Sequence, residues 1–266
     1  MTDVASTGGV RPVKSALHTI EVLEYLASRN DEPARLRDIG DDLGIPRSSL
    51  YALLRTLSDR GWVRRDTTGT LYTIGIRALM AGTTYIDSDP YLRAAMPWLE
   101  ELNRELDETV HYGRLDGSDV VYLTTKESSQ YLRYINRVGR RQPASVTAMG
   151  KAILADWLDV DLDAHLQDPL PQVTAHSLTS VDRLRADLDE TRRRGYAIDA
   201  EENSLGIHCF GFVLHSVSPA TDAISCSVPL ARLTPAREDQ IVDALKRTVI
   251  EIERHLPRLT FGPVAW

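Results

Sequence analysis

Gly44-Ile45-Pro46 interrupts a stretch whose apolar residues are otherwise spaced as in helices, and that interruption constrains the local fold. The segment from Arg37 to Leu43 reads as a short helix. Gly44 suits its C-terminal cap, and the residue before a proline is pushed out of helical space. A second helix is expected to start at Pro46 or Arg47, where the proline ring presets φ and its missing N–H costs nothing. Leu50, Leu53, Leu54 and Leu57 fall at i, i+3, i+4 and i+7 and make one apolar face. Ser48, Tyr51, Ala52 and Arg55 form the opposite stripe. Gly61 ends this helix, and two strand-like runs, Trp62–Arg65 and Thr70–Thr73, flank Asp66-Thr-Thr-Gly69 as a hairpin. Two helices, a tight turn and a wing predict a winged helix-turn-helix able to enter a DNA major groove.

Charge supports that reading. Residues 47–65 hold five arginines against one acid, Asp59, in a chain whose formal net charge is −7. Positive charge is therefore concentrated where phosphates would be met. Arg47, Ser48, Ser49 and Tyr51 are candidates for base edges. Arg55, Arg64 and Arg65 are candidates for phosphates or the adjacent minor groove.

The 266 residues give room for two domains, and 42% hydrophobic content fits a soluble globular protein. No run has the length of a membrane span, and the N-terminus lacks the order of a secretion signal. Two cysteines, Cys209 and Cys226, imply no disulfide framework, so the expected compartment is the cytoplasm. Residues 1–12 read as a floppy leader, 13–74 as the DNA-binding domain and 75–89 as a linker helix. Residues 90–266 read as a second, α/β domain. Ser15 to about Ser28 is an amphipathic helix, expected to pack behind the helix-turn-helix. Asp89-Pro90 supplies an N-cap and first-turn residue for the helix that opens the second domain.

Beyond Glu108 the texture changes to strands. Thr109–Leu115 and Val120–Thr125 form a hairpin around Asp116-Gly117-Ser118-Asp119, and Leu132–Val138 reads as a third strand. Thr147-Ala-Met-Gly150 reads as a small-residue loop leading into a helix from Lys151. Val181–Arg194 is a helix with an acid early, three arginines late and Gly195 beyond it. Tyr196–Asp199, Gly206–Leu214 and Ala223–Val228 are further strands, and Pro235–His255 is a closing amphipathic helix.

These residues resemble the IclR family of bacterial transcriptional regulators over nearly the whole chain. The matching stretches are Ser15–Leu23, Leu43-Gly-Ile-Pro-Arg-Ser-Ser49, Gly61-Trp-Val-Arg64, Val138-Gly-Arg-Arg-Gln-Pro143, Thr147-Ala-Met-Gly-Lys-Ala-Ile-Leu-Ala155 and Arg194–Asn203. The resemblance implies a winged helix-turn-helix, a linker helix and a C-terminal effector-binding domain similar to GAF-type sensors. It implies a regulator, more often a repressor than an activator, of a catabolic or carbon-source operon. The partners implied are double-stranded operator DNA and a small organic acid, sugar acid or sugar. It also implies a homodimer, often a dimer of dimers, with no cofactor. By the family pattern the effector site falls on Ala148, Met149, Gly150, Asp199, Cys209, Ser225 and Ser227. The chemistry fits: a helix start offers backbone N–H groups, and Ser225 and Ser227 alternate onto one strand face. The chain departs from the pattern at Ala52, where many relatives carry arginine, and at Phe210-Gly211-Phe212-Val213, where small residues and a proline are usual.

Two other readings come from the same residues. Cys209, Cys226, Asp199 and a histidine (His111 or His208) could supply metal ligands, or the thiols a redox switch. Cys209 with His111 could form a nucleophile and base, yet no recognisable catalytic signature surrounds them. The expected dimer contact is the Gly75–Ile86 helix with the first helix.

Overall fold

A computed structural model describes residues 12–29, 32–157, 162 and 165–257. The expected leader lies outside the described residues except for Pro12. The chain divides into two compact units, Met1–Ser88 and Asp89–Trp266.

The first unit is built from α1 (Lys14–Ser28), β1 (Ala34–Arg35), α2 (Leu36–Leu43), α3 (Arg47–Asp59), β2 (Val63–Arg65), β3 (Leu71–Ile74) and α4 (Ile76–Ser88). Gly44 takes φ +63° and its N–H bonds back to the carbonyl of Gly40, a left-handed cap that an L side chain would strain. Pro46 is the N-cap of α3. Val22, Leu26, Ile39, Leu50, Leu54, Leu57, Val63 and Tyr72 close over one another as the core. β1, β3 and β2 make a small antiparallel sheet. The wing turn is held by Asp66, whose carboxylate accepts from the backbone N–H groups of Thr68, Thr70 and Leu71 at 3.3, 2.8 and 2.9 Å. Together with the Thr68 hydroxyl, these bonds hold the Asp66 carboxyl down at about 2. α4 buries none of its residues within the chain; Ile76, Leu79 and Met80 are 66%, 60% and 55% exposed.

The second unit carries one antiparallel sheet of six strands. They are β4 (Thr109–Asp116), β5 (Asp119–Lys126), β6 (Arg141–Pro143), β7 (Ala197–Ala200), β8 (Ile207–Leu214) and β9 (Asp222–Pro229), in the order β6-β5-β4-β9-β8-β7. α5 (Pro90–Leu106) and a closing helix, here α8 (Pro235–His255), cover one face. α6 (Ala148–Asp156), backed by α7 (Val181–Arg194), covers the other.

Two expectations need correction here. Leu132–Val138 forms no strand, because its carbonyls are taken by side chains instead of a neighbouring ladder. Arg232 donates to the Leu132 carbonyl at 2.7 Å and Thr109 to that of Tyr134 at 3.0 Å. The edge strand comes later, at Arg141–Pro143. Ala148-Met149-Gly150 is likewise no loop but the first turn of α6. Thr147 caps it, accepting from the Gly150 N–H at 3.0 Å. That turn is wedged tightly: a Cβ on Gly211 would lie 2.4 Å from the Ala148 carbonyl oxygen, and one on Gly150 would lie 2.2 Å from that of Ala144.

One cluster fastens the start of this unit. Asp89 caps α5 through Oδ1, 2.8 Å from the Leu92 N–H, and pairs with Arg114 through Oδ2. Arg114 also grips Asp222 with two bonds, 2.6 and 2.7 Å, and Tyr112 donates its hydroxyl to Asp222 at 2.5 Å.

Candidate functional site

The first candidate surface lies on the helix-turn-helix. Arg47, Ser48, Ser49, Tyr51, Arg55, Arg64 and Arg65 are all exposed. With Leu50, Leu54 and Leu57 fixing the buried side of α3, a turn of 100° per residue puts Ser48, Ala52 and Arg55 outermost. Arg47 and Tyr51 fall on the flank toward the wing and Ser49 on the other flank. Arg47, Ser48 and Tyr51 line a cleft of about 940 Å³ together with Arg35, Leu36, Arg37 and the wing residues Gly69, Thr70 and Tyr72. The sequence reading does not single out Arg35 or Arg37. The wing arginines do not act as a pair, since successive strand residues face opposite ways. Arg65 runs beside Gly69, whereas Arg64 borders a separate hollow with Ile74, Ile76 and Leu79.

The second candidate surface is the face of the large sheet beneath α6. Antiparallel register puts Asp199, Cys209, Ser227 and Thr109 in one row across four strands, and Gly211, Ser225, His111 and Thr125 in the next. Gly211 abuts the backbone of Ala148, and Met149 reaches over Gly113, so the first turn of α6 closes the same face. The structure thus brings Ala148, Met149, Gly150, Asp199, Cys209, Ser225 and Ser227 together.

A hydrogen-bonded chain runs along these rows. Thr125 Oγ1 lies 3.0 Å from His111 Nδ1, His111 Nε2 lies 3.2 Å from Ser227 Oγ, and Ser227 Oγ lies 3.1 Å from Cys209 Sγ. Tyr122 and Tyr134 stand edge-on to the His111 ring at 5.2 and 5.8 Å. Asp199 accepts from the backbone N–H groups of Glu202 and Asn203 at 2.8 and 3.2 Å, and Asn203 donates to the Tyr134 hydroxyl at 3.2 Å. Gln142 extends the rim: its amide donates to Asn203 and accepts from Arg140. Ser225 and Tyr122 are 3% and 4% exposed, and among the described residues neither hydroxyl has a hydrogen-bond partner.

Burial sets the charge of this face. It pushes the His111 imidazole down to about 3 and the Cys209 thiol well up, so both stay neutral. Burial, with the Glu202 charge, raises Asp199 to about 7. Lys151, fully buried on α6, is neutralised by Glu202 at 2.6 Å and Asp187 at 3.0 Å.

Three residue groupings of the alternative readings come apart. Cys209 pairs across with Ser227, whereas Cys226 pairs with Phe210, so the two thiols lie on opposite faces and cannot share a metal or form a bridge. His208, opposite Val228, is also on the face away from Cys209. Ser227 stands between Cys209 and His111, and both are held neutral, which leaves no thiolate–imidazolium pair. The same alternation turns Phe210 and Phe212 away from the α6 face; Phe212 stacks on Tyr196 at 5.6 Å.

Known proteins share this order of domains and this fold. The family model described as IclR helix-turn-helix domain matches residues 15–67. The one described as bacterial transcriptional regulator IclR C-terminal matches residues 83–254. The chain is 30% identical to the HTH-type transcriptional regulator XynR of Escherichia coli over 92% of its length and 97% of that protein. It is 30% identical to the transcriptional repressor IclR of the same organism, over 88% and 86% of the two chains. The solved structure of the Thermotoga maritima IclR, 25% identical, superposes with a TM-score of 0.67 over 92% of this chain and 99% of that one.

Proposed function

Because the chain belongs to the IclR family of bacterial transcriptional regulators, we propose that it is a ligand-responsive repressor of a catabolic operon. It is not an enzyme. Residues 13–74 serve as its DNA-binding domain, 75–89 as a linker helix and 90–266 as its effector domain. Arg47, Ser48, Ser49, Tyr51, Arg55, Arg64 and Arg65 make up the DNA-facing set. The effector, a small organic acid, sugar acid or sugar, sits on Ala148, Met149, Gly150, Asp199, Cys209, Ser225 and Ser227. The observation that carries this reading is the buried, hydroxyl-rich sheet face, on which no described residue hydrogen-bonds to the Ser225 or Tyr122 hydroxyl. A hydroxylated ligand can hydrogen-bond to such groups.

The protein works in the cytoplasm as a homodimer, or as a dimer of dimers, through the exposed apolar residues of α1 and α4. No described helix is long and apolar enough to cross a membrane. Dimers read paired half-sites and so gain the discrimination that one recognition helix rarely supplies.

The test has two arms. A panel of organic acids, sugar acids and sugars is screened for a rise in melting temperature, as binding to the native state requires. Any compound found is then added to DNA complexes of wild type and Ser225→Leu. The variant should bind DNA as wild type does and ignore the compound. Release of DNA by the variant at the same concentration would place the effector elsewhere.

A further inference from the structure

The cleft beside α3 has a lining that base reading does not explain. Three guanidiniums border it, those of Arg35, Arg37 and Arg47. Only Arg37 has an acidic partner, Asp41 at 3.3 Å, and that pair is largely exposed, so it holds the side chain weakly. Arg35 and Arg47 have no carboxylate partner among the described residues. No acid lines the cleft. Ser48, Tyr51 and Thr70 add hydroxyls around the same space. The cleft therefore holds unneutralised positive charge between the recognition helix and the wing. Guanidinium forks match phosphate oxygens in shape and charge.

Resting on the DNA-binding reading above, we propose that this cleft seats one strand's phosphodiester backbone. Arg35 and Arg37 grip phosphates beside Arg47, and Tyr51 and Thr70 bracket the strand. Base reading then falls to the outermost and far-flank positions of α3, Ser48, Ser49 and Ala52. A methyl group at Ala52 can meet a thymine methyl where an arginine would contact a guanine or a phosphate.

The experiment uses the full-length protein and two probes: the duplex it enriches from a random-sequence library, and a scrambled duplex of equal length. Arg35→Gln and Arg37→Gln should weaken binding to both probes by the same factor, roughly tenfold or more. Each should lower the slope of log K against log salt by about one. Arg35→Lys, which keeps the charge, should keep the slope. Ser49→Ala should alter the enriched sequence and leave the slope alone. Because both arginines are exposed, circular dichroism melting should match wild type. Unchanged slopes, or losses confined to the enriched duplex, would overturn the cleft assignment while leaving DNA binding intact. If wild type enriches no duplex, the DNA-binding reading falls and the cleft assignment with it.

Discussion

At the residue scale, the sheet face beneath α6 disfavours charge on its ionisable groups by depriving them of water. Asp199 and His111 pay for this in opposite pH ranges. Asp199 rises from an ordinary 3.8 to about 7, so the native state holds a proton that the unfolded chain has lost. Its contribution is fully present below about pH 4 and is lost as pH rises toward 7. His111, depressed to about 3, works the other way and destabilises the fold as pH falls below the ordinary histidine value of 6.5. Asp199→Asn removes the first effect alone while keeping an oxygen for the Glu202 and Asn203 N–H groups. The variant's stability relative to wild type should therefore climb between pH 4 and 7. The climb should reach a few kcal/mol, because holding one extra proton in the native state is worth roughly 1.4 kcal/mol for every step of one in pH. Urea titrations across that range measure the difference; a constant offset would mean that Asp199 titrates normally.

At the scale of elements, α4 is an amphipathic helix with its apolar side chains in water, which isolated helices of this length do not tolerate well. On the dimer contact proposed above, Leu79→Glu should turn dimer into monomer in sedimentation at micromolar concentration and reduce operator affinity without altering the wing or α3. A variant that remained dimeric would remove α4 from the contact. Elements of this kind were legible because their signals are local: Gly44-Ile45-Pro46 breaks the helix, Leu50 to Leu57 set a face, and Asp66 to Gly69 turn the wing. Thr147 carries a readable cap signal too, yet the small residues after it read as loop. What could not be read was register. Nothing near His111 says that Ser227, 116 positions away, will meet its ring. Alternation separates Cys209 and Gly211 from the two phenylalanines, but only the neighbouring strands decide which pair faces α6. Arg35 gives no signal of its own because its role depends on a wing that folds back over it from residues 63–74.

At the scale of the whole molecule, two cores in one chain need not unfold together. Arg114 offers a way to separate them. It is the only cation among the described partners of Asp89 and Asp222, whose side chains are almost wholly buried. Arg114→Leu leaves two buried carboxylates without a counter-charge, which costs about 3–5 kcal/mol. Calorimetry should show the transition of the second unit moved down while that of the first unit stays in place. A uniform shift of both would show that the units melt as one. The same cluster has a mechanical side. α4 ends at Ser88 and α5 starts at Pro90, so Asp89 alone lies between two helices. The ring of Pro90 fixes its own φ, and the side chain of Asp89 is held at both oxygens. The start of α5 is thus pinned to the sheet of its own unit, and one glycine inserted after Asp89 would cost that unit a helix cap and an ion pair together.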